Sequence, residues 1–321
     1  MKRIDCSTYI EQLQTLRQPW HNKFYAMYSS VLGGIVTDPL LMLVPADDHL
    51  VHRGDGVFDT FKCVNRAAYN IDAHLKRLVR SGGEIGLAWP DGIEDIRAKA
   101  LETLKIAGHD DCSCRVILAR GPGGFGISPY ESPKPALYII VYALGQPFMQ
   151  AHPAGAKIKR SQTPVKSGTF PTYKHCNYLP NAMMKREAID AGVDFVVSYD
   201  EHGFLAEGAT ENVGIVTAQR ELLFPRLNKV LDGTTMLRVM QLAETLVHDG
   251  LLTRIDFGDL TEQTVKSAQE VLIVGTTLNV VSVCWYEGAP IHDGLPGAVG
   301  QALDSLLARD IQTNPALRTS Y

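Results

Sequence analysis

The sequence predicts two domains that both mix α-helices and β-strands, and three observations lead to this fold class. At 321 residues, the chain is longer than one ordinary hydrophobic core requires. Apolar runs with strand character alternate with stretches of helical periodicity along the chain. A Gly- and Pro-rich segment, GQPFMQAHPAGAKIK, separates the two halves, so we expect an N-terminal domain over 1–150 and a C-terminal domain over 151–321.

The N-terminal half combines strands rich in β-branched and aromatic residues with two helices. The expected elements are strands at 35–45 and 56–71, helices at 72–82 and 93–107, and strands at 114–119 and 136–144. Asp72 is the predicted cap of the first helix, and the Gly82-Gly83 pair is its predicted end. The last two strands are joined by a Gly/Pro-rich loop that has the length of functional loops rather than of tight turns.

The C-terminal half repeats the alternation of strands and helices without a fixed period, which disfavours solenoids and propellers. The expected elements are a strand at 156–162, a helix at 178–192, hairpins at 194–208 and 212–225, a helix at 234–250, strands at 253–260 and 270–288, and a helix at 297–311.

Charge and composition disfavour several kinds of partner. The formal net charge of −4, from 31 basic and 35 acidic residues, gives no field strong enough to attract nucleic acid or an anionic membrane. The start of the chain lacks the apolar core of a signal peptide, and no segment approaches the roughly 18 apolar residues that span a bilayer, so a cytoplasmic protein is expected. The Cys112 and Cys114 pair has no second pair or spaced His to complete a zinc site, so we expect reduced thiols and no metal.

Three polar clusters at loops and element ends suggest a cofactor site. Lys174 stands where an irregular Thr/Pro/Tyr stretch becomes a helix, and the EGATEN run carries Glu207 and Glu211. Gly-Thr-Thr occurs twice, at 233–235 before a helix and at 275–277 after a strand, and such a helix start attracts a phosphate. A lysine for a Schiff base, an acid for a pyridine nitrogen and a phosphate cradle together indicate a pyridoxal phosphate site.

The motifs around these clusters resemble one enzyme family over roughly residues 35–305. They read HRGDGVFDTF at 52–61, HLKRLVRSG at 74–82, YKHCNYLPNAMMKREA at 173–188, GFLAEGATENVGIV at 203–216, FPRLNKVLDGTTMLRVMQLAE at 224–244 and VGTTLNVVSV at 274–283. In this order and spacing they resemble the class IV aminotransferases, which are fold-type IV pyridoxal phosphate enzymes. The stretches at 27–39, 45–60 and 315–321 are similar to the plant-type D-amino-acid transaminases and aminodeoxychorismate lyase-like members. The resemblance implies that the C-terminal domain is a pseudo-barrel that binds the cofactor.

The resemblance also implies roles for individual residues. Lys174 would form the Schiff base and carry the proton; Lys166 is its competitor but lacks the following Asn-Tyr-Leu. Glu207 would pair with the pyridine nitrogen, with Glu211 as the runner-up. The remaining cofactor contacts would come from Arg77 and from Thr234, Thr235 and Thr276 on the phosphate, and from Tyr178 on the phenolic oxygen.

One departure concerns the substrate carboxylate. Bacterial D-amino-acid enzymes carry an Arg-x-His pair in the loop after the central strand, whereas this loop reads GPGGFGISP. Arg53 and Arg120 are candidates for binding the carboxylate, and Lys62 is a weaker one.

The expected activity is pyridoxal-phosphate-dependent transfer of an amino group from an amino acid, D-alanine being an example, to a 2-oxo acid. The alternatives are 4-amino-4-deoxychorismate lyase, a branched-chain or R-selective amine transaminase, and a catalytically silent cofactor-binding protein. The family resemblance implies a homodimer.

Overall fold

The computed structural model describes all 321 residues and divides them into two compact units. The N-terminal unit comprises Met1–Leu144 together with Arg318–Tyr321, and the C-terminal unit comprises Gly145–Leu317. The division falls slightly before the predicted boundary near 150, and the end of the chain belongs with the beginning. No helix is both long enough and apolar enough to cross a membrane.

The N-terminal unit contains four helices and six strands before the chain leaves it. They are α1 Cys6–Thr15, β1 Phe24–Ser29, β2 Gly34–Val36, α2 His49–Arg53, β3 Gly56–Val64, β4 Ala67–Tyr69, α3 Ile71–Glu84, α4 Gly92–Ala107, β5 Cys112–Ala119 and β6 Ala136–Ala143.

The C-terminal unit has nine strands and five helices. They are α5 Phe148–Ala151, β7 Ala156–Arg160, α6 Leu179–Asp190, β8 Phe195–Tyr199, β9 Leu205–Gly208, β10 Asn212–Val216, β11 Glu221–Pro225, α7 Thr234–His248, β12 Arg254–Gly258, α8 Glu262–Lys266, β13 Glu270–Gly275, β14 Asn279–Tyr286, β15 Ala289–Pro290 and α9 Ala298–Thr313.

The final strand, β16 Arg318–Ser320, returns to the N-terminal unit and pairs antiparallel with β4. It completes a seven-stranded sheet in the order β16-β4-β3-β5-β6-β1-β2. Helices α3 and α4 cover this sheet, since Leu75, Leu78, Ile96 and Leu104 share one buried cluster with strand residues such as Val116. Burial of these side chains is the main stabilisation of the unit.

The predicted hairpin over 56–71 is confirmed, because β3 and β4 pair antiparallel across a turn at Asn65 and Arg66. The strand predicted over 35–45 is wrong beyond Val36. Pro39 has no N–H to give to a ladder, and Asp38 accepts a hydrogen bond from Leu40 N, so this stretch forms a short 3₁₀ turn instead.

The boundaries of α3 also differ from the prediction. Asn70, in the left-handed region, precedes the helix, so Asp72 lies in its first turn rather than capping it. The helix continues through Gly82 and Gly83. A Cβ at Gly82 would lie 2.6 Å from the carbonyl oxygen of Leu87, so the glycine allows the following chain to fold back closely over the helix.

The sheet of the C-terminal unit closes on itself. Its order is β12-β11-β10-β13-β14-β7-β8-β9, and β9 pairs again with β10 through Glu207 and Asn212. Six strands therefore form a closed ring, with β11 and β12 as an extension and β15 paired to β14. This ring agrees with the pseudo-barrel that the resemblance implies. Its closing pair includes Glu207, so the barrel fixes the position of that side chain.

Candidate active site

Lys174 lies in an irregular segment of the C-terminal unit, between a 3₁₀ turn at Phe170–Thr172 and the start of α6. Tyr178 is the residue that precedes the first turn of α6. The Nζ atom of Lys174 donates a hydrogen bond to the hydroxyl oxygen of Tyr178 at 2.9 Å. Because the start of the helix fixes Tyr178, this hydrogen bond holds the end of a flexible side chain at a defined place.

Glu207 faces the same pocket from strand β9. Its Oε2 accepts a hydrogen bond from the backbone N–H of Leu231 at 3.1 Å. Desolvation raises the pKa of Glu207, although that N–H and the nearby Lys166 and Lys174 act in the opposite direction. The carboxyl group therefore lies where a cationic partner would stabilise its ionised form.

The side chain of Glu211 also borders the pocket, but it is engaged within its own turn. Its carboxylate accepts hydrogen bonds from the backbone N–H of Thr210 at 2.9 Å and from the Thr210 hydroxyl. No such local partner takes up the second oxygen of Glu207. The hydrogen bonds thus distinguish the two acids: the carboxylate of Glu211 is engaged by Thr210, whereas Glu207 has an oxygen available.

The pocket itself has about 350 Å³ of empty space, including its mouth. Residues with charged or titratable side chains lie around it: Lys166, Tyr173, Lys174, Tyr178, Glu207 and Glu211. The structure therefore brings together the predicted lysine, its competitor, both acids and the predicted tyrosine.

The two Gly-Thr-Thr turns also meet. The hydroxyl oxygens of Thr235 and Thr276 lie 3.3 Å apart, and Thr234 is the buried first residue of α7. Gly233 packs against the side chain of Asn212, and a Cβ at Gly233 would overlap the Asn212 Oδ1 atom. The threonines are not among the residues that line the lysine pocket, but Asn212 lines it and so connects the two places.

Arg77 lies in the N-terminal unit, buried on α3. Its Nε and one terminal nitrogen donate to the two carboxylate oxygens of Asp59 at 2.8 and 2.9 Å. His74 Nδ1 contacts the same carboxylate at 2.7 Å. Burial alone would raise the pKa of Asp59, but the neighbouring Arg77 and His74 hold it well below its usual range. Arg77 is therefore a cation held in place by Asp59, and sequence reasoning missed both this ion pair and the contact of His74 with the same carboxylate.

The carboxylate candidates differ in how their nitrogens are used. Arg120 donates to both oxygens of Asp55 at 2.9 and 3.0 Å and to the carbonyl oxygens of Ile85 and Gly86. These hydrogen bonds connect neighbouring segments of the N-terminal unit and leave Arg120 few N–H groups for binding a substrate carboxylate. Lys62 is almost completely buried within β3.

Arg53 ends helix α2 and donates to the carbonyl oxygen of Gly124, at 3.4 Å. Its other terminal nitrogen is buried without a hydrogen-bond partner, and His49 Nδ1 close by in sequence is in the same condition. Such unsatisfied polar atoms are uncommon in folded proteins. Arg53 therefore has donor capacity that Arg120 lacks.

Two buried groups near Lys174 escaped sequence reasoning. The Nδ2 of Asn181 donates to the carbonyl oxygen of Ala209, while its Oδ1 has no partner. His175 Nδ1 accepts from the N–H of Asn177 at 3.1 Å, and its Nε2 is buried and unpaired. Burial and the two lysine charges at 166 and 174 lower the pKa of His175 to about 4. In the sequence, only the position of Asn181 in the first turn of α6, close after Lys174, indicated that its side chain could reach this pocket.

No group of three or more His, Cys, Asp and Glu side chains is arranged to hold a metal ion. What the lysine pocket offers is an amine, a desolvated carboxyl group and a phenol, with a helix start and threonine hydroxyls nearby. Such a set can bind a carbonyl compound covalently, stabilise a positive ring nitrogen and hold a phosphate.

Comparison with known proteins agrees with this chemistry. The sequence profile described as "Amino-transferase class IV" matches residues 56–285. The chloroplastic D-amino-acid transaminase of Arabidopsis thaliana is 38% identical over 294 residues, which cover 91% of this chain and 78% of that protein. The bifunctional aminodeoxychorismate lyase / D-amino acid transaminase of Mycobacterium tuberculosis is 27% identical over 230 residues, which cover 68% of this chain and 78% of that protein.

A solved structure shows that the fold is shared. The crystal structure of the branched-chain aminotransferase from the thermophilic archaeon Thermoproteus uzoniensis with norvaline matches with a TM-score of 0.81 at 20% identity. The match covers 92% of this chain and 99% of that chain.

Proposed function

The chain belongs to the class IV aminotransferases, a family of pyridoxal-phosphate-dependent enzymes, and from this premise we propose that it transfers the amino group of a D-amino acid such as D-alanine to a 2-oxo acid. The family and its cofactor follow from the profile match and the relatives. The choice of a D-amino acid rests on the 38% identical relative, whose name states that substrate class.

The pocket around Lys174 fits the cofactor by the chemistry of its donors. Lys174 would provide the amine that joins the cofactor aldehyde, the half-buried Glu207 would pair with the pyridine nitrogen, and Tyr178 would present its hydroxyl. Thr234, Thr235 and Thr276 would bind the phosphate through hydroxyls and backbone N–H groups. The family resemblance implies Arg77 as a further cation for the phosphate. The cofactor, when bound, supplies an aldehyde that condenses with amines and a ring that accepts the electrons released at Cα.

Within this site Lys174 has the central role in proton transfer. As a free amine its Nζ would accept the proton from Cα of the amino acid and deliver it to C4′, the former aldehyde carbon of the cofactor, and in the second half-reaction it would carry a proton in the opposite direction. The hydrogen bond to Tyr178 orients Nζ for the uptake and the release of the proton. It thereby restricts the side chain of Lys174 to the conformation in which proton transfer occurs. Glu207, as a carboxylate, stabilises positive charge on the ring nitrogen.

Arg53 is the group that we propose for the substrate carboxylate. A buried terminal nitrogen without a partner supports this choice, because a guanidinium suits bidentate binding of a carboxylate. Arg120 is the less favourable candidate, since Asp55 and two carbonyl oxygens already occupy its nitrogens.

A second candidate function is 4-amino-4-deoxychorismate lyase. The mycobacterial relative, named for both activities, and a Gly-rich loop without the Arg-x-His pair support it. In that reaction Lys174 would promote loss of pyruvate with release of 4-aminobenzoate. Branched-chain amine transfer is supported by relatives named for it, one of them 28% identical over 286 residues, but less strongly than D-amino acid transfer is by the 38% identical relative. R-selective amine transfer rests on the family resemblance alone.

We also infer a homodimer and a cytoplasmic location. The first follows from the family resemblance, and light scattering of the purified protein measures it. The second is tested by fractionating cells that produce the tagged protein, since the Arabidopsis relative is named chloroplastic.

The observation that carries the proposal is the hydrogen bond between Lys174 and Tyr178 in a pocket that also holds Glu207. To test the proposal, purified enzyme receives D-alanine with 2-oxoglutarate, L-alanine with 2-oxoglutarate, or aminodeoxychorismate alone. We expect pyruvate and glutamate from the first mixture. Pyruvate and 4-aminobenzoate from the third mixture, with no product from the first, would replace the proposal by the lyase reaction.

A further inference from the structure

A second lysine shares the pocket with Lys174. The Nζ atom of Lys166 lies 5.2 Å from the centre of the Tyr178 ring, and that of Lys174 lies 5.4 Å from the same point. The two amines are therefore no more than about 11 Å apart. Lys166 lines the pocket with Lys174 and Glu207, and no carboxylate forms an ion pair with it.

The two lysines differ in how they are held. Lys174 donates to the hydroxyl of Tyr178, whereas Lys166 faces the ring of the same residue and has no hydrogen bond of its own. A lysine that joins the cofactor needs a fixed Nζ, which favours Lys174. The role of Lys166 must then differ from that of a competing nucleophile.

The charged groups around Lys174 determine whether its amine is protonated. Glu207 and Glu211 face it from β9 and the following turn, and Lys166, His175, Tyr173 and Tyr178 face it from the preceding segment and the start of α6. The carboxylate of Glu207 alone would favour the charged ammonium form of Lys174. A neighbouring cation opposes this, and nearby positive charge is one of the ways in which proteins activate a lysine.

We propose that Lys166 is a positioning residue of this transaminase, whose positive charge keeps Lys174 in its neutral, proton-accepting form. The inference rests on the role of Lys174 in the proposed function and extends it to a second residue. Even at the largest separation that these distances allow, about 11 Å, and at an effective dielectric constant of about 20, the repulsion corresponds to about one pH unit in the titration of Lys174.

Desolvation lowers the pKa of Lys166 and so opposes its positive charge, whereas the charge of Glu207 across the pocket raises the pKa and favours the ammonium form. The charges of Lys166 and Lys174 also lower the pKa of His175, the neighbour of Lys174 in the chain. Lys166 is therefore near enough to influence the titration of Lys174 and is not neutralised by a salt bridge.

The test measures the amine of Lys174 without relying on turnover. The full chain, after removal of the cofactor, is labelled with traces of acetic anhydride across a series of pH values, and tandem mass spectrometry reports the labelling of Lys174. The variants are Lys166→Met, which removes the charge, and Lys166→Arg, which keeps it. Lys157→Met is the matched control, because Lys157 is an exposed lysine on β7 outside the pocket.

We expect Lys166→Met to raise the apparent pKa of Lys174 by about one pH unit. Lys166→Arg and Lys157→Met should leave it within a few tenths of the wild-type value. In the holoenzyme, the acidic limb of the kcat profile should move upward in Lys166→Met by the same amount, while KM for D-alanine changes little.

An unchanged Lys174 titration in a folded Lys166→Met protein would overturn the inference. Lys166→Gln, judged by circular dichroism, provides the same comparison if the methionine variant does not fold. Failure of the proposed function is recognised separately, because a wild-type enzyme without D-alanine turnover still yields a Lys174 titration to compare between variants.

Discussion

The ion pair between Asp59 and Arg77 allows a quantitative test of how the N-terminal unit holds its predicted phosphate-binding cation. The Asp59 side chain is about 1% exposed and that of Arg77 about 7%, so the pair is almost completely removed from water. Replacing Asp59 by Asn keeps the shape but removes the charge, and leaves the guanidinium buried without its counter-charge. Breaking a buried pair in this way costs about 3–5 kcal/mol.

We therefore expect Asp59→Asn to lower the free energy of unfolding of the N-terminal unit by about 3 kcal/mol at pH 7, since the amide oxygen still accepts one hydrogen bond. Urea unfolding, followed by circular dichroism and tryptophan fluorescence, measures this change. The matched control is Asp190→Asn, which breaks the exposed pair between Asp190 and Arg186. This control should change stability by less than about 1 kcal/mol.

The pH dependence gives an independent check on the same pair. The folded pKa of Asp59 lies below its unfolded value, so its contribution is present above about pH 4 and is lost as the pH falls through the folded pKa. The difference between wild type and Asp59→Asn should therefore shrink below about pH 4. A stability loss under about 1 kcal/mol at pH 7, or a difference of undiminished size at about pH 2, would refute this account of the pair.

Three further predictions concern the lysine pocket. Tyr178→Phe removes the hydrogen bond to Lys174, which is worth about 1.5 kcal/mol. The variant should therefore show an about tenfold lower kcat in steady-state assays, while the unfolding midpoint stays nearly constant. An unchanged kcat would contradict this role of Tyr178. Glu207→Gln should lower kcat about 100-fold or more. Glu211→Gln should mainly lower the free energy of unfolding, by about 1–2 kcal/mol, because Glu211 bonds within its own turn. Equal losses of kcat in the two variants would argue against Glu207 as the partner of the pyridine nitrogen. His175 is neutral in the fold down to a pKa of about 4, so an unfolded histidine binds the proton first and stability should fall as the pH decreases from about 6.5 to 4. Urea midpoints of wild type and His175→Gln over this range measure the effect, and the variant should show the shallower dependence.

Much of the lysine pocket was predictable because its residues belong to local motifs. Lys174 follows an irregular stretch, and Glu207 stands near the end of a strand. Outside the pocket, the two Gly-Thr-Thr turns precede a helix and follow a strand. These are features of chain segments, and motifs of this kind can be recognised in a linear sequence. The meeting of Thr235 and Thr276 follows from the helix start and the strand end lying at one edge of the barrel.

The features that sequence reasoning missed depend on partners far away in the chain. The bond between Asp59 and Arg77 joins a strand to the helix that covers it, and nothing near Asp59 indicates a buried ion pair. Strand β16 joins β4 across most of the chain, so a local pattern could not assign it to the N-terminal unit. Strand β1 was missed, and 37–45 was predicted as strand, because short apolar runs look alike until pairing partners are known.

Single-turnover absorbance of the cofactor-loaded enzyme tests D-amino acid transamination at Lys174 most directly. On addition of D-alanine, the band of the cofactor joined to Lys174 should disappear with release of one equivalent of pyruvate, and 2-oxoglutarate should restore it. L-alanine should react at least about 100-fold more slowly, and Lys174→Ala should not turn over. Faster reaction with L-alanine, or full turnover by Lys174→Ala, would contradict the assigned substrate or the assigned lysine.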